Sequence, residues 1–164
     1  MGHAASGKSE WAEREVRAAA RAEGRRPTYL ATARAGDREV AVKVAAHAAR
    51  RGDEWDLVEE PVDLTSAAAA LDGPVLIDCL TMWLTNMLPD GDRWEENAQA
   101  WLDKMADADS ARFWLVSNDV GGGVTPANAL ARRFQRMQGL LNQRVAARAD
   151  RVVLVTAGLA QELK

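Results

Sequence analysis

The sequence predicts a three-layer α/β fold in which helices cover both faces of a mainly parallel central sheet. Short apolar runs bounded by polar or glycine-containing turns alternate with longer segments whose apolar residues recur at helical spacing, an order typical of parallel sheets. With 164 residues and 48% hydrophobic content, the chain can bury the core of one domain without disulfide bridges. We therefore expect residues 1–164 to form a single domain.

Four runs have the short, apolar character of buried parallel strands. They comprise residues 28–33, 74–80, 112–117 and 151–156. Four segments have helical spacing instead, at residues 9–23, 37–51, 94–107 and 126–149. The first of these helices is expected to end at Gly24, a natural C-terminal stop. The alanine tract within residues 54–72 predicts one short helix or a surface excursion.

Composition excludes several classes of protein. The formal net charge of −3 and a pI near 5.5 argue against a nucleic-acid-binding protein, which would normally carry a basic excess. The sequence contains no run of eighteen apolar residues, so it predicts no membrane span. Cys79 is the single cysteine, and no charged-then-apolar leader opens the chain, so we expect a cytoplasmic protein without disulfides.

The residues that follow Met1 satisfy the pattern G-x-x-x-x-G-K-[ST] and lead directly into the first predicted helix. They are Gly2, His3, Ala4, Ala5, Ser6, Gly7, Lys8 and Ser9. In this pattern backbone amides and the helix N-terminus surround a phosphate, the lysine neutralises the β- and γ-phosphate oxygens, and the final hydroxyl can bind Mg²⁺. The loop therefore predicts a P-loop NTPase-like fold that binds nucleoside triphosphates.

Such a loop ordinarily follows a buried strand. Met1 stands immediately before Gly2, so we expect the first strand of the sheet to be missing from this chain.

Polar residues at the ends of the predicted strands are further candidates, because ligands of open parallel sheets bind beyond the carboxyl ends of the strands. Asp78 follows an apolar run, as does the acidic residue that holds Mg²⁺ in many P-loop enzymes. It could equally cap the next helix. Asn118 and Asp119, which precede three glycines, could contact substrate or metal, or form only a flexible turn. The remaining strand-end candidates are Thr32, Thr156 and Gly158.

His47 borders the apolar face of the predicted helix 37–51. Lys43, Arg50 and Arg51 lie three or four residues from it and place cations beside the imidazole. A neutral imidazole flanked by cations is suited to attack on an α-phosphorus. From spacing alone, a structural histidine at the edge of a solvated basic face is the alternative.

Several segments together resemble the adenosylcobinamide kinase/adenosylcobinamide-phosphate guanylyltransferase family, in order and in spacing along nearly the entire chain. They are the loop at residues 2–9, the strand at residues 30–33, the histidine segment at residues 39–51 with Trp55 and Glu59, and residues 78–86, 116–126 and 139–143. A generic P-loop kinase would share only the first of these segments.

The resemblance implies a bifunctional enzyme of cobalamin biosynthesis. ATP or GTP would phosphorylate adenosylcobinamide, and GMP would then pass from GTP through a GMP-histidine intermediate to adenosylcobinamide phosphate, giving adenosylcobinamide-GDP. It also implies Mg²⁺ as the nucleotide-bound metal and a homotrimer. The alternatives are a monofunctional P-loop kinase of a small metabolite, with His47 structural, or a nucleotide-binding module without turnover.

The resemblance assigns roles to individual residues. His47 and Lys8 would be catalytic, and Ser9 and Asp78 would bind the metal. The nucleotide contacts would be Gly2, His3, Ala4, Ala5, Ser6, Gly7, Lys8, Ser9, Thr32, Ala33, Arg34, Arg50, Arg51, Glu59 and Cys79.

Overall fold

A computed structural model describes residues 1–34, 52–91 and 93–164. The predicted helix 37–51, with His47, Arg50 and Arg51, lies outside these ranges. The strands are β1 (Thr28–Ala31), β2 (Asp56–Glu59), β3 (Gly73–Asp78), β4 (Ala111–Val116), β5 (Val153–Thr156) and β6 (Leu159–Glu162). The helices are α1 (Lys8–Glu23), α2 (Leu64–Ala70), α3 (Leu80–Met87), α4 (Trp94–Ala106) and α5 (Ala129–Arg148).

The central sheet has the strand order β2-β1-β3-β4, and every pairing in it is parallel. Successive residues of a strand face opposite sides, and both sides are covered. Tyr29, Leu76 and Val116 pack against Val16 of α1 on one face. Leu30 and Ile77 face the other layer, which holds the large buried side chains of α3, α4 and α5. The predicted three-layer α/β fold is confirmed.

Met1 and Gly2 occupy the sheet position beside β4. The Gly2 amide donates to the Ser117 carbonyl at 3.3 Å, and the Asp119 amide donates to the Gly2 carbonyl at 3.0 Å. On the other side, Met1 bonds to β5. Its amine donates to the Val153 carbonyl at 2.7 Å, and its carbonyl accepts from the Val155 amide at 2.8 Å. Both sets have the parallel pattern, so these two residues connect β4 to β5.

A cleft of about 670 Å³ adjoins Met1 between β4 and β5, and apolar residues such as Phe113, Leu115 and Val153 contribute to its lining. The expectation that the first strand is missing from this chain stays a prediction. The structure shows that Met1 and Gly2 are hydrogen-bonded to the residues after β4 and to β5.

Several elements differ from the sequence prediction. The last predicted strand, β5, does not pair directly with a strand of the four-stranded sheet: Met1 and Gly2 lie between it and β4, and it pairs antiparallel with β6 in a two-stranded hairpin. Neither β2 nor β6 was predicted, since both are short edge strands of mostly exposed residues without an apolar run. Helix α3 was also missed, because the apolar run at residues 74–80 continues into it without a glycine or proline.

The other predicted elements that fall within the described ranges are present with small shifts in their bounds. Helix α5 begins at Ala129 rather than at residue 126, because the Asn128 side chain caps it by accepting hydrogen bonds from the amides of Leu130 and Ala131. The alanine tract forms α2, capped by Asp63. None of the helices in the described ranges is long and apolar enough to cross a membrane.

Candidate active site

The glycine-rich loop ends at the N-terminus of α1. Gly7 is the N-cap residue and has a φ of 90°, and no side chain caps the helix. Ala5 also has a positive φ of 55°, so the loop turns sharply before the helix begins. The first amides of an α-helix lack partners within the helix, and the helix dipole favours an anion there. The backbone geometry of the loop thus suits a phosphate.

The loop is attached to the protein at both of its ends. Gly2 is bonded to the segment that follows β4, as described above, and the Gly158 amide donates to the Ser6 carbonyl at 2.9 Å. Within the loop, Lys8 Nζ donates to the His3 carbonyl oxygen at 3.1 Å. His3 Nδ1 lies 3.0 Å from the carbonyl oxygen of Asp119, which can only accept, so this nitrogen carries the proton. These bonds fix the loop between β4 and β5.

The strands β2, β1, β3 and β4 end in one row. Ala31 is in register with Glu59 on one side and with Asp78 on the other, and Asp78 is in register with Val116. The loop begins at the same edge, because Gly2 pairs with Asn118, two residues beyond Val116. The predicted residues Glu59, Asp78 and Gly2 are therefore brought to one edge of the sheet, where ligands of such folds bind.

Asp78 is held in place from the neighbouring strand. The Tyr29 hydroxyl donates to Asp78 Oδ2 at 2.9 Å, and the Tyr29 ring is buried edge-on against Trp55 with ring centroids 5.9 Å apart. Sequence reasoning missed Tyr29, because its proximity to Asp78 depends on the pairing of β1 with β3. No local pattern reports that pairing.

Thr32 is fully buried and joins the ends of β1 and β3. Its hydroxyl donates to the Cys79 carbonyl at 2.7 Å and accepts from the Cys79 amide at 2.9 Å. Burial, followed by the negative charge of Asp78, raises the pKa of the Cys79 thiol to about 11, and the charge of Lys8 opposes this shift weakly. The thiol is therefore protonated at neutral pH, while the charge of the loop lysine is close enough to act on it.

Asn86 of α3 is another residue that the sequence did not single out. Its side-chain amide donates to the Thr32 carbonyl at 2.8 Å and to the Pro61 carbonyl at 2.9 Å. It thereby ties the segment after β1, which contains the half-buried Ala33 and the exposed Arg34, to the segment after β2. These two segments lie at the same edge of the sheet as Asp78.

The donor types at this edge fit a nucleotide-bound Mg²⁺. This ion prefers oxygen ligands and usually takes one or two protein groups, with phosphates and water completing its shell. The Ser9 hydroxyl and the Asp78 carboxylate are groups of that kind. Among the described residues no group of three or more His, Cys, Asp or Glu side chains could hold a metal by itself.

Comparison with known proteins identifies the family. The family model described as cobinamide kinase/cobinamide phosphate guanyltransferase matches residues 1–163. The chain belongs to this family. It is 40% identical to the bifunctional adenosylcobalamin biosynthesis protein CobP of Pseudomonas aeruginosa, with 100% of this chain and 95% of that protein covered.

Two other relatives in the cobinamide kinase/cobinamide phosphate guanyltransferase family carry a similar name. The bifunctional adenosylcobalamin biosynthesis proteins CobU of Salmonella typhimurium and Escherichia coli are each 33% identical to this chain, covering 99% of it and 97% of their own length. The match to this family spans the loop, the strand ends and the histidine segment alike, and it confirms the resemblance seen in the sequence.

Proposed function

We propose that this chain phosphorylates adenosylcobinamide with ATP or GTP and then transfers GMP from GTP to the phosphorylated product. The observation that carries the proposal is the uncapped N-terminus of α1, preceded by the loop from Gly2 to Gly7, at the row of strand ends that includes Asp78. The family match over residues 1–163 supplies the substrate class.

In the first step the hydroxyl oxygen of adenosylcobinamide attacks the γ-phosphorus, and the bond to the β-phosphate oxygen breaks. Catalysis of such a transfer rests on positioning and on neutralising the charge of the phosphoryl oxygens. Lys8 would neutralise the β- and γ-oxygens, and the first amides of α1 would hold them. Ser9 and Asp78 would hold Mg²⁺, which supplies further charge neutralisation when bound.

In the second step we propose that His47 attacks the α-phosphorus of GTP. A nitrogen–phosphorus bond forms, the bond between the α-phosphorus and the bridging oxygen breaks, and pyrophosphate leaves. A phosphate oxygen of adenosylcobinamide phosphate then attacks the same phosphorus, releases the histidine and gives adenosylcobinamide-GDP. Arg50 and Arg51, with Arg34 and Glu59, would contact the nucleotide.

The test uses GTP labelled at its α-phosphate. The wild type should acquire a label that is lost in acid and stable in base, as expected for a phosphoramidate. Because the chain contains two histidines, His3 and His47, peptide mapping assigns the label to one of them. His47→Ala should form no adduct, yet it should still transfer the γ-phosphoryl group, because the loop is unchanged. An adduct that persists in His47→Ala would exclude this histidine as the nucleophile.

We further propose that the enzyme acts in the cytoplasm as a homotrimer, as the family resemblance implies. Sedimentation equilibrium of the purified chain would give a single species of three times the mass of one chain if this proposal holds.

A further inference from the structure

A buried polar cluster lies beneath the end of β4. The Ser117 hydroxyl donates to Asn142 Oδ1 at 2.6 Å. The side-chain amide of Gln138 donates to the Ser117 hydroxyl at 2.9 Å and to Asn142 Oδ1 at 3.0 Å. Gln138 is fully buried and Ser117 nearly so. We call Ser117, Gln138 and Asn142 the amide cluster, and none of its members belongs to the predicted site.

The amide cluster is bonded to the segment that holds the phosphate loop. Asn142 Nδ2 donates to the Asn118 carbonyl at 3.0 Å, and the Asn118 amide donates to the Thr81 hydroxyl at 3.0 Å. Side chains of α5 and α3 therefore hold both main-chain groups of Asn118. The neighbouring Ser117 carbonyl and Asp119 amide bond to Gly2. A path of hydrogen bonds joined by the backbone of residues 117–119 thus runs from Asn142 to the first residue of the loop.

Burying the polar atoms of the amide cluster lowers the stability of this part of the core. In the described ranges, Gln138 Oε1 and Asn118 Oδ1 are buried oxygens without a hydrogen-bond partner. Burying such groups without a partner is unfavourable, and apolar side chains of similar shape would often be as stable. Stability alone therefore explains the cluster poorly. Its bonds to the backbone at Asn118 suggest that it fixes the position of the strand end.

We propose that Asn142 is a positioning residue for triphosphate binding. It sets the segment from Ser117 to Asp119, to which Gly2 is bonded, and so orients the amides that face the phosphates. The inference rests on the proposed function, because it requires that the loop binds a nucleoside triphosphate. It concerns a residue of α5 that would itself make no contact with the nucleotide.

The experiment measures binding of a fluorescent, non-hydrolysable GTP analogue by equilibrium titration. Asn142→Leu keeps a side chain of similar size but leaves the Asn118 carbonyl and the Ser117 hydroxyl short of a partner. Its dissociation constant should rise about ten-fold, which corresponds to the loss of roughly one well-placed hydrogen bond. Ser117→Ala is a milder change within the same cluster, and it should weaken binding less.

Two controls separate positioning from a general loss of stability. Leu141→Ala removes a fully buried core side chain from the position before Asn142 in α5. It should lower the melting temperature without changing the amide cluster, and it should bind the analogue as the wild type does. Gln143→Ala changes an exposed residue of the same helix. It should alter neither the melting temperature nor the dissociation constant of the analogue. All titrations are made well below the melting temperature of the least stable variant.

A double-mutant cycle tests whether the cluster acts as one unit. If Ser117 and Asn142 act through the same path, Ser117→Ala should have a smaller effect on binding in the Asn142→Leu background than in the wild type. Additive effects on the dissociation constant would contradict the proposed path.

The outcomes distinguish the inference from the function on which it rests. If the wild type does not bind the analogue, or if Lys8→Ala binds it equally well, the proposed phosphate site is wrong. If Lys8→Ala loses binding while Asn142→Leu binds as the wild type does, the phosphate site stands and the positioning role is overturned. An equal loss of affinity in Leu141→Ala and Asn142→Leu would also overturn it, because a merely structural role would then account for both.

Discussion

The hydroxyl of Tyr29 and the carboxylate of Asp78 form a hydrogen bond of 2.9 Å across two adjacent parallel strands. The two residues meet because the parallel pairing of β1 with β3 places Ala31 beside Asp78. The hydrogen bond orients the carboxylate at the edge where the proposed Mg²⁺ would bind. A buried aromatic side chain of one strand thus positions a candidate metal ligand of the next.

Tyr29→Phe tests this arrangement, because it retains the ring that packs against Trp55 and removes only the hydroxyl. We expect a loss of about 1.5–3 kcal/mol in the free energy of unfolding, as for other hydrogen bonds to charged groups. The Mg²⁺ concentration that half-saturates phosphoryl transfer should also rise, since one of the contacts that orient the carboxylate is lost. Urea unfolding and a Mg²⁺ titration of the kinase reaction check the two effects. An unchanged Mg²⁺ dependence would limit Tyr29 to packing.

Gly2→Ala should damage the loop. A Cβ atom at this position would lie 2.4 Å from the Val155 carbonyl oxygen and 2.6 Å from Ser6 Oγ, so the backbone would have to shift. We expect a destabilisation of about 1–3 kcal/mol, as for other overpacked sites, together with weaker triphosphate binding. The control is Gly139→Ala within α5, where an added Cβ atom would meet nothing within 4 Å. This change should raise the free energy of unfolding by about 0.5–1 kcal/mol, because alanine favours the helix over glycine.

The thiol of Cys79 should react slowly. Its pKa is raised to about 11, and only the thiolate is nucleophilic, so alkylation by iodoacetamide at pH 8 should be about 100-fold slower than for an ordinary cysteine. The rate should rise with pH up to about 11. Because the folded protein holds this proton more tightly than the unfolded chain does, stability should fall as the pH rises from the ordinary thiol pKa toward that value.

Mass spectrometry of timed samples follows this alkylation, with the chain unfolded in urea as the reference. Equal rates in the folded and unfolded protein would show that the environment of the thiol does not raise its pKa.

Asn86→Leu should release the segments that follow β1 and β2, because it leaves the carbonyls of the buried Thr32 and the half-buried Pro61 without their shared donor. A loss of about 1–3 kcal/mol of stability is expected for such unsatisfied groups. The KM for the triphosphate should increase, since Arg34 and Glu59 adjoin these segments. Steady-state kinetics with varied nucleotide measure it. Asn97→Leu, an exposed change on α4, should leave KM unchanged.

The elements that the sequence predicted best are those whose signals are local. The loop from Gly2 to Ser9 is recognisable because its geometry requires specific residues at fixed spacing, and helix α1 follows from the repeat of its apolar positions. Strand β3 was evident because both of its faces are buried and nearly every residue in it is apolar. Strand β2 was not, because it pairs along one edge only and stays largely exposed.

The sequence by itself determined the layered α/β architecture, the phosphate loop and the family, because these depend on short-range spacing and on the order of segments. The tertiary structure decided which side chains meet: Tyr29 with Asp78, Thr32 with Cys79, and Asn142 with the backbone that carries Gly2. It also placed Met1 and Gly2 between β4 and β5 and paired β5 with β6 in an antiparallel hairpin. The physical reason is that strand register and helix packing bring together residues distant in the chain, and no local pattern encodes that pairing.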